Sequence, residues 1–311
     1  MQNPFPGIPS IESPLFPQQK AAMALTAEEE RIATSLFENG FATMTFPDSE
    51  IDSRIERVKM RLSSHFDIDF ADEESDKTNT ERRIQDAWTF DDDVRAIAAN
   101  EQVLDLLGKL YGRPAFPFQT LNFPVGTQQA AHSDSVHFSS LPERFMCGVW
   151  LAMEDVHPDA GPLFYRPGSH RWPIMTNALI GRRGQGAALQ SAQDPYGPAW
   201  DALRSAYGIE EATFLPRKGE ALIWCANLLH GGMPQMDPRR TRWSQVTHYY
   251  FDSCVYYTPA FSDEIVGRLQ LREMRSVIDG SLKESSYLGE PVRPPKRKTR
   301  LQKIVSAFSS A

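Results

Sequence analysis

Cysteine is scarce in this 311-residue chain, and the three present, Cys147, Cys225 and Cys254, stand far apart inside apolar segments. That spacing fits neither a disulfide framework nor a zinc cluster and predicts buried free thiols. Long apolar runs are missing too: 41% of the residues are hydrophobic, yet no stretch approaches the roughly 20 residues a membrane-spanning helix needs. The start, Met1-Gln2-Asn3-Pro4-Phe5-Pro6, has neither a basic cluster nor an apolar stretch behind it, so no secretory signal is visible and the expected location is cytoplasmic. A positive balance is also lacking, and the net charge of −7 argues against general nucleic-acid binding. Acidic residues are themselves absent from Arg293 to Ala311, where six cations (Arg293, Lys296, Arg297, Lys298, Arg300 and Lys303) precede Ile304-Val305. Residues 281–311 therefore read as a basic, flexible tail, the one feature that points toward an anionic membrane surface.

What is present changes character near residue 115. Residues 1–25 hold Pro4, Pro6, Pro9, Pro14 and Pro17, too many for a helix or central strand, and predict an extended arm. Thr26 and Glu29 make a capping box before Ile32, Ala33, Leu36 and Phe37, an apolar helix face that Gly40 ends. Phe41 to Phe46 reads as a strand, and Asp48 or Ser49 is the expected cap of a second helix carrying Ile51, Ile55, Val58 and Leu62. The polar run Asp67 to Arg82 reads as an exposed loop, and Val94 to Leu110 as one more helix. Beyond Gly112, short apolar runs separated by Gly, Pro and Asp indicate an all-β core, with strands expected over Phe118–Pro124, Ala130–Asp134, Phe145–Met153, Gly161–Tyr165, Ala221–Ala226 and Trp243–Cys254. Ile174 to Leu215 reads as a lid-like insertion. Ile265, Leu269, Leu271, Met274 and Val277 suggest a closing helix over 262–278. The expected organisation is a single domain over 26–280, mainly β with flanking helices: a helical part over 26–112 and a β core over 116–256.

Within that core, His132-Ser133-Asp134 offers an imidazole and a carboxylate two positions apart, on one face of an extended chain. A third ligand from a distant strand would complete the 2-His-1-carboxylate set of non-haem Fe(II) oxygenases, and His230, in Leu228-Leu229-His230-Gly231-Gly232, is the candidate. Twelve residues on, Arg242 opens a run in which Arg242, Ser244, Val246, His248 and Tyr250 share a face. A guanidinium turned inward is expensive to bury unless it meets an anion. A dicarboxylate that chelates the metal at one end and meets Arg242 and Ser244 at the other would satisfy it. Arg240 competes for that role from the turn-like Asp237-Pro238-Arg239-Arg240.

The ordered series His132-Ser133-Asp134, Gly161-Pro162-Leu163, Pro167-Gly168-Ser169-His170, Lys218 to Trp224, Leu229-His230-Gly231-Gly232 and Arg242 resembles the phytanoyl-CoA dioxygenase family, strongly over residues 116–252 and loosely over 26–110. The resemblance implies a double-stranded β-helix, the jelly-roll or cupin-like core, holding Fe(II) and the cosubstrate 2-oxoglutarate and using O2. By position it implies His132, Asp134 and His230 as iron ligands, and Arg242 with Ser244 as the clamp on 2-oxoglutarate. Trp150 matches an aromatic beside the cosubstrate, and Gln129 and Asn122 are further pocket candidates. It also implies that Asp134, absent from related halogenases, favours hydroxylation of a small or carrier-linked substrate with release of succinate and CO2. Arg182, Arg183, Arg217 and Lys218 are the candidate patch for a phosphate-rich carrier such as coenzyme A. His137 reads as facing either substrate or solvent, His170 as stabilising its turn, and His248 as a hydrogen-bonded core residue. Two other classes stay open here: a non-catalytic metal- or ligand-binding protein on the same barrel, and a metal-dependent cupin-like isomerase.

Overall fold

The computed structural model describes residues 4–78, 83–184 and 192–293. Helix α1 (Ala27–Asn39) begins at the expected capping box, with both reciprocal bonds of Thr26 and Glu29 formed, and ends where Gly40 adopts a left-handed conformation (φ 84°). Helix α2 (Ile51–Leu62) follows, but neither expected cap sits at its N-cap, which is Glu50. Asp48 instead accepts the Glu50 backbone N–H at 2.8 Å, one turn earlier. The single helix expected over Val94–Leu110 is two, α3 (Asp92–Ala98) and α4 (Glu101–Tyr111), because Asn100 leaves the helical conformation and caps the second through Val103 N–H. A last helix, α5 (Gly197–Tyr207), lies in the insertion, of which residues 185–191 fall outside the described residues.

The strands are β1 (Phe41–Thr45), β2 (Ile84–Gln85), β3 (Ala115–Phe123), β4 (Ser139–Leu141), β5 (Met146–Ala152), β6 (Leu163–Tyr165), β7 (Ala212–Phe214), β8 (Glu220–Cys225), β9 (His230–Gly232), β10 (Ser244–Phe251) and β11 (Val255–Tyr257). A six-stranded antiparallel sheet runs β1-β8-β5-β10-β3-β2, facing a three-stranded sheet β7-β6-β9, with β11-β4 as a separate pair. This is the jelly-roll architecture with helices on one side, as expected. Period-two alternation divides the large sheet. Val149, Leu151, Ala221 and Ile223 pack outward against Ile32, Leu36, Ile55, Val58, Val103 and Leu107 of the helices. Leu121, Trp150, Leu222, Trp224 and Val246 point inward to meet Leu163, Tyr165 and Phe214 of the small sheet. Cys147 and Cys225, cross-strand neighbours, and Cys254 are buried free thiols.

Three further expectations are corrected. The N-terminal arm is not extended: it folds into the turns Ser10–Glu12, Phe16–Gln19 and Lys20–Met23, with Ile11 and Phe16 fully buried. Pro17 is tolerated because it stands in the first turn, where its missing N–H has no helical partner to lose. Glu12 ties the arm to Arg144 at 2.6 Å. The closing helix over 262–278 does not form. Gly267 turns left-handed (φ 68°) after a short 3₁₀ turn, Ile265 and Val266 are left exposed, and Met274–Arg275 pairs with Leu282–Lys283 as a small hairpin. Ala130–Asp134 is not a strand either: it makes one bridge, His132 with His230, and then enters a 3₁₀ turn at Asp134–Val136. Residues 294–311, which carry most of the basic tail, lie outside the described residues. No helix among the described residues is long and apolar enough to cross a membrane.

Candidate metal centre

His132 and His230 are brought together by backbone: the N–H of each donates to the carbonyl of the other, at 2.8 and 2.9 Å. Each ring is then oriented locally, His132 Nδ1 donating to Ala130 O at 3.0 Å and His230 Nδ1 to Leu228 O at 2.9 Å. That leaves both Nε2 atoms as bare acceptors facing one point. Asp134 reaches the same point from its turn, which Ser133 Oγ and Ser135 N–H pin to Ala226 O at 3.0 Å each. His132 Nε2 lies 3.7 Å from Asp134 Oδ1 and His230 Nε2 3.8 Å from Oδ2, and the three donor atoms lie within 4.8 Å of one another. The pair two residues apart thus converges as expected, but through a bend in place of strand alternation.

The electrostatics suit a cation. Burial, aided by neighbouring His230, pushes the His132 imidazole down to about 3, so it is neutral and able to coordinate at physiological pH. Burial would raise the Asp134 carboxyl, but His230, His248, His132 and the Trp224 N–H outweigh it and hold it at about 2. Two imidazole nitrogens and a carboxylate oxygen, all buried, form a donor set appropriate to a divalent transition ion with positions left open.

The site opens on a cavity of about 390 Å³, the lower end of the range for small-molecule pockets. Arg242 lines it while 1% exposed. Its Nη1 donates to Gly161 O at 2.9 Å, its Nε has no partner, and its guanidinium stands 5.5 Å from the Trp150 ring centroid. Burial lowers it to about 10, which still leaves it charged at neutral pH. Among the described residues no carboxylate pairs with it. Ser244, at the start of β10, has a buried Oγ without a partner but is not among the residues that line the cavity. Arg240, the competing arginine, is half-exposed and paired with Asp237 at 3.3 Å. Trp150 and Gln129 line the cavity, but Asn122 does not. Its side chain turns to the helical side of the sheet and bonds Gln245 at 3.2 Å, since Leu121 and Phe123 on either side take the inward positions. The candidate carrier patch does not reach the cavity, and Lys218 is engaged by Glu56 at 2.7 Å and Asp52 at 3.3 Å.

The remaining histidines separate. His248 faces the cavity as well as being hydrogen-bonded, Nδ1 to Gln119 Oε1 at 2.9 Å, with Nε2 3.6 Å from Asp134 Oδ2. His137 also lines the cavity and meets Gln193 at 3.3 Å. His170 is buried away from it, under Gly40, and donates to Phe37 O at 3.2 Å. Sequence reading missed Gln119, Gln193 and Trp224. Inward alternation from Leu121 and Leu222 would have flagged Gln119 and Trp224; nothing local marks Gln193, which the insertion delivers against Gln129 at 3.2 Å.

Solved structures of similar fold include the non-haem α-ketoglutarate-dependent epimerase SnoN of nogalamycin biosynthesis, 19% identical over 87% of this chain and 97% of that one, TM-score 0.55. The carbocyclase SnoK of the same biosynthesis is 16% identical over 88% and 96%, TM-score 0.55. EctD from S. alaskensis is 18% identical over 85% and 89%, TM-score 0.56. At such identities the likeness is one of fold. A search of curated proteins finds no match. The family model for phytanoyl-CoA dioxygenase (PhyH) matches residues 15–241, a span that contains His132, Asp134 and His230 and stops one residue short of Arg242. The chain belongs to the phytanoyl-CoA dioxygenase family.

Proposed function

We propose that the chain is an Fe(II)- and 2-oxoglutarate-dependent dioxygenase that hydroxylates a small polar substrate, free or carrier-linked, and releases succinate and CO2. The observation that carries this reading is the meeting, on one cavity, of the His132, Asp134 and His230 donors with the buried, unpaired guanidinium of Arg242. A metal alone accounts for the first feature and leaves the second without a reason. A dicarboxylate accounts for both, one end at the ion and the other accepting paired hydrogen bonds from Arg242. SnoN was solved with Fe3+ and α-ketoglutarate, and EctD with 2-oxoglutarate and 5-hydroxyectoine, which supports assigning the same pair of groups to this fold.

Each residue has a part that follows from its surroundings. His132 and His230 enter as oriented Nε2 donors and Asp134 as an anion, so the site binds a dication without releasing a proton from His132 or Asp134 at neutral pH. Arg242 and Ser244 take the distal carboxylate, and Trp150 fixes the guanidinium plane. Gln119, His248, His137, Gln129 and Gln193 line the cavity with donors and acceptors that suit a polar substrate. When bound, iron and 2-oxoglutarate supply the oxidising chemistry with O2 that no side chain provides.

Anaerobic titration of the apoprotein with Fe(II) and then 2-oxoglutarate is expected to raise a metal-to-ligand charge-transfer band, followed by succinate release in air. Absence of the band rejects the cosubstrate assignment. Epimerase and carbocyclase chemistry, named for the two similar folds, is separated from hydroxylation by ¹⁸O2: the hydroxylated product gains a labelled oxygen atom and the other products do not.

A further inference from the structure

Asp134 is held by a side chain that is neither a metal-donor residue nor part of the cosubstrate clamp. Trp224, 2% exposed in β8, donates its indole Nε1–H to Asp134 Oδ2 at 2.8 Å. Among the described residues no other side chain hydrogen-bonds that carboxylate; the nearest imidazole nitrogens stand at 3.6 to 3.8 Å. The indole reaches it because of what lies opposite. Gly148 of β5 is the cross-strand partner of Trp224 and, on its other side, of His248. A Cβ built on Gly148 would run into indole Cζ2 and Cε2, and would meet Cη2 at 2.6 Å. Gly148 is not among the glycines of positive φ, so space, and no backbone conformation, is what calls for glycine there. The ring packs against Gly148, with the His230 ring at 5.2 Å and the His248 ring at 6.1 Å (ring centroids).

We propose that Trp224 is a positioning residue for the metal centre: its N–H holds Asp134 Oδ2 and so fixes the rotation in which the carboxylate faces His132 and His230, and Gly148 leaves the space for the indole to do so. This rests on the reading of His132, Asp134 and His230 as metal ligands. A carboxylate free to rotate offers either or both oxygens and can take up a coordination position that cosubstrate or O2 needs. One charge-assisted bond from a rigid, buried donor removes that freedom. Loss of such outer partners of a ligand costs about 10- to 100-fold in metal affinity.

The test uses the full chain as apoprotein titrated with Co(II) in the absence of 2-oxoglutarate, read by the visible Co(II) bands and by calorimetry. Trp224→Phe keeps a ring and loses the N–H; Gly148→Ala keeps the N–H and displaces the indole. Each is expected to weaken Co(II) binding about 10- to 100-fold and to change the bands, and the double variant is expected to be no weaker than the worse single one, because both break the same bond. A folded Trp224→Phe protein with wild-type affinity and bands overturns the inference, as does full additivity. Should both variants fail to fold, the wild type decides. One of its six tryptophan indole N–H resonances is expected to shift when Zn(II) is added, and no shift overturns the inference. A wild-type apoprotein that binds no Co(II) rejects the metal-site reading itself, an outcome distinct from unchanged binding in Trp224→Phe.

Discussion

The two faces of the six-stranded sheet come from the same strands yet follow different rules. On the outer face, polar side chains are tied to the helices: Gln245 Nε2 donates to Val94 O at 3.1 Å and Tyr249 OH to Ala98 O at 2.9 Å, amid a continuous apolar core. The polar atoms left without partners there, Thr120 Oγ1 and Asn122 Oδ1, are neutral. On the inner face the same strands carry Gln119, Trp224 and His248, and β10 is preceded by a fully buried cation, Arg242, whose Nε has no partner. A neutral orphan costs about 1–3 kcal/mol, whereas an unpaired buried charge costs more. The outer face is thus built for stability, and the inner face holds a buried cation that no carboxylate pairs with among the described residues.

Mutations should separate the faces. The largest effect is expected from His132→Ala, which should abolish metal binding in titration while leaving the far-UV spectrum unchanged; retained stoichiometric binding would break the assignment. Ile223→Ala, on the outer face and 0% exposed, should destabilise by about 2–5 kcal/mol in urea unfolding and leave metal affinity within a few-fold of wild type. Arg242→Met tests the contrast most directly. Removing an unpaired buried charge should raise the melting temperature of the apoprotein, by an amount equivalent to about 1–4 kcal/mol if it behaves like other buried charge replacements. The stabilisation that 2-oxoglutarate gives the metal-loaded wild type should vanish. A melting temperature that falls in the apoprotein would mean that Arg242 is a structural residue.

The smallest effect concerns pH and lies among the helices. Arg57, with Arg61 and Arg54, outweighs burial and holds the Asp93 carboxyl well below the usual carboxylate range. A depressed folded pKa gives stability that is fully present above the unfolded value, near 4, and is lost as pH falls toward the folded value. Asp93→Asn should therefore lower the melting temperature modestly at pH 7 and converge with the wild type in acid. A difference that grows below pH 4 would refute that account.

Much of the site was legible beforehand because its parts are chemically distinctive. His132, Asp134 and His230 are a rare donor set in a recognisable order, and Arg242 is a cation at the head of a strand whose alternation turns it inward with Val246 and His248. The helix at Thr26 was legible for a different reason: a capping box is a contact between residues three apart, so sequence distance and spatial distance coincide. Asn122 was misplaced although its flanking residues carried the answer. The closing helix failed because spacing alone cannot say whether an apolar face has anything to pack against, and Ile265 and Val266 meet solvent.

By itself the sequence determined which groups were available for chemistry and which short segments would curl or extend, since these depend on side-chain identity and on neighbours a few positions away. Only the tertiary structure decided among equivalent candidates. It buried Arg242 while leaving Arg240 to Asp237, turned Gln119 inward while Asn122 turned out, and set Trp224 across Gly148 so that its N–H meets Asp134. Each of those choices is a matter of strand register and of which face is covered, and both are set by packing between residues far apart in the chain.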